Sequence, residues 1–298
     1  MGKRMAKHPR LGGTSTHPMK PELSAQLAVA VDSMPAFPKS IQKILELTRH
    51  IESSSKDLVR VIEKDPVVTI KVLRVVNSAY FGRPKQINSI SHAVVYLGIN
   101  TIKNLSLSIA AIGILPASQV PGFDARQCLL HSLSTAGIAR QLALSLGDVD
   151  PMDCFVAGLL HDFGKMVLAQ FLPEPFQAAL KSSQTNGVSL HSALREEIGT
   201  DHAEVCAMLV ERWRFPVDLI DTIRFQRGAD IKDTPMVACV FTANQISKKL
   251  NFGFAGNACI EELPPPIAKR MGGSLDQVIL DIGDLAGAFE EAKLFSRI

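Results

Sequence analysis

Two Asp-Pro steps, Asp65-Pro66 and Asp150-Pro151, constrain this chain most. An aspartate carboxylate accepts from the free N–H groups of a helix's first turn. A proline at the next position is harmless there, because its missing N–H would have no partner anyway. Behind the first step stand Val68, Val72, Leu73, Val75 and Val76, at helical spacing. Behind the second runs an apolar segment that carries His161-Asp162. Similar punctuation recurs. Pro38 precedes Ile41, Ile44, Leu45 and Leu47; Ser53 to Ser55 precede Leu58, Val59, Val61 and Ile62, with Asp57 and Arg60 on the exposed side. Ser89 caps a short helix that Gly98 ends, Asn100 caps one to about Ile114 before Pro116, and Asp124 caps a long one that Gly147 ends. Further helices are expected near 174–185, 189–197, 202–213, 216–226 and 235–250, then, beyond Pro264-Pro265-Pro266, near 274–282 and 284–295. No segment alternates as a half-buried strand would, and no fixed-period repeat is present. The expected architecture is all-α, with two helical lobes meeting near Pro121-Gly122.

A chain of 298 residues, 46% hydrophobic and 6% aromatic, is long enough to bury a large aliphatic core. Its net charge of +3 is uneven: residues 1–26 carry +4, leaving −1 on the rest. The leading segment reads as a disordered basic tail, and the near-neutral remainder gives no reason to expect nucleic acid as a partner. The five cysteines, Cys128, Cys154, Cys206, Cys239 and Cys259, include no C-x-x-C pair and read as reduced thiols of a cytoplasmic protein. Apolar runs are broken within about a dozen residues, too short for a membrane span, and the N-terminus lacks an apolar core of signal-peptide type.

Chemistry concentrates in Gly158-Leu159-Leu160-His161-Asp162-Phe163-Gly164-Lys165. An imidazole nitrogen beside a carboxylate suits a divalent transition metal; the same pair also serves as a hydrogen-bonded fastener between helices. No G-x-S-x-G, P-loop, G-x-G-x-x-G or H-E-x-x-H motif is present. Trp213 reads as core at a helix end, and Gly164 as a site of close helix packing.

His131 followed by His161-Asp162 thirty positions later resembles the opening ligands of the HD phosphohydrolase superfamily. Upstream stand Met34-Pro35-Ala36-Phe37-Pro38, Asp65-Pro66-Val67-Val68, Lys71 to Gly82 with Asn77-Ser78-Ala79-Tyr80-Phe81-Gly82, Ile87 to Ile90, and Ala93 to Gly98. In that order they resemble the HDOD domain, an HD-related output domain of bacterial signalling proteins, from about residue 27 to 250. The resemblance implies a two-lobed helical HDOD fold: an N-terminal lobe over 27–120, an HD-like lobe over 121–250 and a C-terminal helical extension over 251–298. It implies His131, His161, Asp162 and His202 as metal-ligand positions. A further histidine would be expected where Phe225-Gln226 stands, and a distal aspartate where Asn244 stands. Asn keeps an oxygen but loses the charge. The implied site is degenerate. It could take at most one divalent transition metal, with zinc, iron or nickel suiting the nitrogen-rich set better than magnesium.

Lys165, four residues after His161, would meet a ligand phosphate or pair with Asp162. Arg74, Asn77 and Ser78 share one face of the upstream helix, where they would either touch a ligand or bond the backbone of the turn through Gly82-Arg83-Pro84. Tyr80-Phe81 would anchor one lobe on the other. The expected function is a bacterial signal-transduction module that binds or scaffolds a protein partner without catalysing a reaction. The alternatives are an HD-type phosphohydrolase acting on a nucleotide or cyclic dinucleotide, and a non-catalytic sensor of a nucleotide or metal. No receiver domain is visible in the chain, so input is expected from another protein.

Overall fold

A computed structural model describes residues 20–35, 39–49, 55–77, 86–113, 120–227 and 231–296. Among these the chain is helical without a strand; one isolated bridge pairs Val120 with Phe123. The helices are α1 (Pro21–Ser33), α2 (Lys39–Arg49), α3 (Ser55–Glu63), α4 (Pro66–Val76), α5 (Ile90–Leu97), α6 (Ile99–Gly113), α7 (Ala125–Leu146), α8 (Pro151–Leu160) and α9 (Phe163–Phe171). They continue as α10 (Pro173–Asn186), α11 (Leu190–Ile198), α12 (His202–Arg212), α13 (Val217–Arg224), α14 (Pro235–Lys249), α15 (Pro265–Met271), α16 (Leu275–Ile282) and α17 (Ala286–Phe295). No helix among the described residues is long and apolar enough to cross a membrane.

The aspartate caps act as their chemistry requires. Asp65 Oδ1 accepts from the amides of Val67 and Val68, each at 3.1 Å. Asp150 Oδ1 accepts from Met152 and Asp153 at 2.7 and 3.1 Å. Asp124 and Asp201 cap α7 and α12 in the same way. Each such cap contributes about 1 kcal/mol. Asn100 is no cap: α6 starts at Ile99 and Asn100 lies in its first turn.

Helices α2 to α6 pack on one another as the first lobe, and α7 to α14 form the second around α7, α8 and α14. The segment expected as a tail to residue 26 departs from that reading at Pro21, where α1 begins. Residues 1–19 lie outside the described residues, as do Ser78, Tyr80-Phe81 and Gly82-Arg83-Pro84. Leu27, Ala30 and Val31, at i, i+3 and i+4, bury one face of α1 on α9 and α12. Arg212 clamps its end, donating to the carbonyls of Asp32 and Met34 at 2.6 and 2.7 Å, while the Trp213 indole donates to Pro35 at 3.0 Å. So α1 precedes the first lobe in sequence yet belongs with the second in space. The extension beyond residue 250 is likewise packed on it. Helices α15 and α16 lie on α14, α17 lies on α7 and α6, and Phe252 stacks on Phe289 at 4.1 Å.

Asn77 closes the end of α4. Its amide nitrogen donates to the carbonyls of Leu73 and Ile87, both at 2.8 Å, and its oxygen accepts from the Ile87 amide at 2.7 Å. These contacts tie the helix end across to the chain that enters α5. Arg74 is exposed, on a helix that packs against α3, α5 and α6. Asn77→Ala should therefore cost about 1–3 kcal/mol by removing this clasp. Urea unfolding would measure it; a loss smaller than that of an exposed-surface control would contradict the assignment.

Candidate metal centre

His131 lies in the middle of α7, on the face held by α8 and α14, and is fully buried. His161 and Asp162 do not continue α8. They form the turn between α8 and α9, contrary to the expectation that they ride within a helix with Lys165 on the same face. The interruption frees backbone groups, and each finds a partner. The Cys206 thiol donates to the Leu160 carbonyl at 3.0 Å, and the Gln226 amide donates to the His161 carbonyl at 3.1 Å. The turn is also pressed tightly against α12. A Cβ on Gly164 would overlap the carbonyl of His202, so only glycine allows the approach.

The His161 ring has one allowed tautomer. Its Nδ1 lies 2.7 Å from the Gly158 carbonyl, which can only accept, so Nδ1 carries the proton. Nε2 then presents a lone pair toward Asp162 Oδ2 at 3.3 Å and makes no hydrogen bond. His131 Nε2 stands 3.7 Å from the same oxygen and 3.1 Å from Asn244 Oδ1. Ligand atoms of His131, His161 and Asp162 all fall within 4.8 Å of one another. Of these ligand atoms only His161 Nε2 is without a hydrogen bond, since His131 Nε2 donates to the Asn244 oxygen and Asp162 Oδ2 accepts from Lys165; two imidazoles and a carboxylate this close are a donor set that suits a transition metal ion.

His202 faces the other carboxylate oxygen, with Nε2 3.3 Å from Asp162 Oδ1. It groups with His191 and Asp201 rather than with the trio. The α12 cap is supplied by Asp201, leaving His202 wholly buried at the centre. His191, which the sequence did not single out, packs its ring edge-on against His202 at 6.1 Å. Lys165 is buried too. Its ammonium donates to Asp162 Oδ2 at 2.6 Å and to the Ala255 carbonyl at 2.8 Å, the ion pair that its spacing allowed. The Ala255 loop reaches the site through Gly253, at φ +74°, where a Cβ would strike the α7 backbone beside His131. Phe225-Gln226 stands where the resemblance implied a histidine and Asn244 where it implied an aspartate; Gln226 and Asn244 are buried.

Burial holds all three imidazoles below their ordinary range: His131 well below it, His161 below it, and His202 pushed down to about 3. Their lone pairs are therefore available at neutral pH. Burial pushes the Asp162 carboxyl up, but the His161 imidazole and the Lys165 ammonium pull it down further, so it stays ionised.

A family model described as the HDOD domain matches residues 34–229. A protein of Treponema pallidum (strain Nichols), itself uncharacterized, is 30% identical over 253 residues, covering 82% of this chain and 47% of that one. The chain thus spans about half the length of that relative. The fold matches the crystal structure of an HDOD domain protein of unknown function from Geobacter sulfurreducens with TM-score 0.73 and 25% identity, over 91% of this chain and 97% of that one. It matches a candidate phosphohydrolase from Shewanella amazonensis SB2B with TM-score 0.65 and 26% identity, over 92% and 97% of the two chains.

The buried histidines set a pH dependence. They are neutral when folded and titrate near 6.5 when unfolded, so below that pH the unfolded chain binds more protons and stability falls with pH. For His202 the fall continues to its folded value of about 3. In metal-free protein His202 alone should contribute a loss of about 2 kcal/mol between pH 6.5 and 5, as read by urea unfolding. His202→Gln should make that slope shallower by about one proton's worth; an unchanged slope would count against the neutral assignment.

Proposed function

The chain belongs to the HDOD domain family, and on that premise we propose that it is a cytoplasmic binding or scaffolding module of bacterial signal transduction, built around a degenerate HD-type site. The observation that carries this reading is the charge balance at Asp162. Its carboxylate is the one anion of the trio, and Lys165 already neutralises it at 2.6 Å. The remaining donors, His131, His161 and Asn244, are neutral. A divalent ion would enter a site with no net negative charge, and Asp201, the anion that groups with His191 and His202, is already held by Arg195 at 2.6 Å. Metal-based hydrolysis relies on ions that lower the pKa of bound water, and this donor set supports that weakly. Binding without turnover suits such a donor set better than hydrolysis.

In this reading any metal is a single transition ion such as zinc, iron or nickel, held by His131, His161 and Asp162 with the Asn244 oxygen beside them. When bound, the ion supplies Lewis acidity and local positive charge. His202 was a candidate fourth ligand; its place on the opposite oxygen argues for a separate task.

Elemental analysis of the purified protein should find no more than one such ion per chain, and His161→Ala should remove it while circular dichroism stays helical. Two ions per chain would refute the reading. So would turnover of a cyclic dinucleotide at about 1 per second or faster, lost in Asp162→Ala; that result would favour the phosphohydrolase reading, which the name of the Shewanella structure also suggests. Removing the internal counter-ion should strengthen metal binding. Lys165→Met is expected to tighten it by about tenfold or more, since one unit charge a few ångströms away is worth at least about 1.4 kcal/mol at an interior dielectric. Equal or weaker affinity in competition with a chelator would show that the ammonium does not oppose the ion.

A further inference from the structure

Arg227 follows Gln226, the residue that ties the chain after α13 to the His161 carbonyl. Its side chain is only 4% exposed. Nη1 meets Glu261 Oε1 at a long 3.4 Å, and Glu261 is itself one-third exposed. Nε and Nη2 are buried and have no hydrogen-bond partner. These two N–H groups lie on one edge of the guanidinium, the planar fork that grips two oxygens of one carboxylate or phosphate. Arginine can neither lose its proton nor accept a hydrogen bond, so this unused edge requires an acceptor.

The surroundings are rich in positive charge. The Arg227 charge bears on His161, Lys165, His191, His202 and Lys248, in each case disfavouring the protonated form. Lys248 is pushed down to about 7, first by burial and then by Arg227 and Lys165. It keeps its ammonium on the Cys259 carbonyl at 2.9 Å. Asp201, the anion of the His191 and His202 group, already serves Arg195 at 2.6 Å and caps α12. A second cation is therefore unwelcome on this side of Asp162, and an anion is favoured. His191 Nδ1, with its side chain 11% exposed, and both ring nitrogens of His202 are likewise buried without hydrogen-bond partners.

We propose that Arg227 is the anchor of an oxyanion site beside His191 and His202, built for the phosphate group of a small ligand. Its Nε and Nη2 take two phosphate oxygens, and His191, whose neutral ring carries one N–H, can offer a further donor, while His202 keeps Nε2 toward Asp162 Oδ1. A dianion suits the surplus of buried cations better than a monoanion. Anion binding there does not depend on a metal being bound.

The test uses the full chain treated with chelator and titrated with inorganic phosphate, followed by calorimetry and by the rise in melting temperature. Saturable binding at one site per chain is expected. Arg227→Gln and Arg227→Lys should each weaken it by about tenfold or more, the lysine variant because it keeps the charge but loses the fork. Glu261→Gln should move the other way, strengthening binding by removing the competing carboxylate from a partly exposed position that tolerates change. Acetate in place of phosphate distinguishes the two oxyanions: weaker binding supports a phosphate site, and equal binding refutes the preference for a dianion. If phosphate fails to bind the wild-type chain, or binds equally to folded Arg227→Lys, the proposal is wrong. Should both Arg227 variants fail to fold, the Glu261→Gln titration decides, and unchanged or weaker affinity there would overturn it.

Discussion

Asp162 is an ionised carboxylate with no solvent exposure, and the second lobe is arranged around the need to stabilise it. An isolated charge at that depth would cost several kcal/mol or more. Lys165, three residues on, supplies the countercharge from the next turn of the same chain. Lysine is itself buried there, and burial alone would lower its affinity for a proton, so each ion depends on the other. The Ala255 carbonyl takes a second ammonium hydrogen, which explains why the loop after α14 must lie over the site. Removing either partner would leave an uncompensated buried charge, the costly case for a buried pair.

The break in the helix at His161-Asp162 makes this arrangement possible. Had α8 run on, its side chains would have followed a helical spiral and its backbone would have closed on itself. The turn instead aims His161 Nε2 at the carboxylate while Nδ1 is locked on Gly158. It also exposes the Leu160 and His161 carbonyls to α12 and to the chain after α13, where Cys206 and Gln226 receive them. The departures from the HD pattern are thus not idle. Gln226 holds the turn in place, and Asn244 bonds His131 across the α7–α14 contact. Residues that would otherwise serve chemistry have become part of the packing.

Much of this was legible in the sequence, for local reasons. Asp65, Asp124, Asp150 and Asp201 announce helix starts because a cap is a contact between residues two or three apart. The positions of His131, His161, Asp162 and His202 came from a motif resemblance; the fold brings the first three together and sets His202 on the far oxygen of Asp162. What stayed hidden was non-local or faint. Helix α1 has a weak apolar stripe and no side-chain cap, and it is held by Arg212 and Trp213 from far along the chain. Helix α15, seven residues opening on prolines, was not among the expected helices. Arg227 and His191 sit in unremarkable sequence. Their meaning lies in burial and in missing partners, which no spacing encodes. The upstream strip misled in part: Asn77 proved to be a clasp on Ile87, a partner the sequence did not suggest.

The two oxygens of Asp162 face different chemistries, and this asymmetry follows from where the cations lie. On the Oδ2 side stand the neutral His131, His161 and Asn244, with Lys165 as the single ammonium. On the Oδ1 side stands His202, with His191 packed against it, and the Arg227 charge bears on both of them. A field of one sign cannot favour a cation and an anion at the same point, but it can do so across a carboxylate that separates two regions. An ion on the first side would add positive charge to the wall of the second and draw an anion closer. An anion on the second side would offset the Arg227 and Lys165 charges and make the first side easier for a cation to enter. The two sites would then be coupled through Asp162 with the same sign in both directions, as thermodynamic linkage requires. A module that changes state when a small phosphorylated ligand arrives needs no turnover to signal, only this coupling and a surface that responds to it.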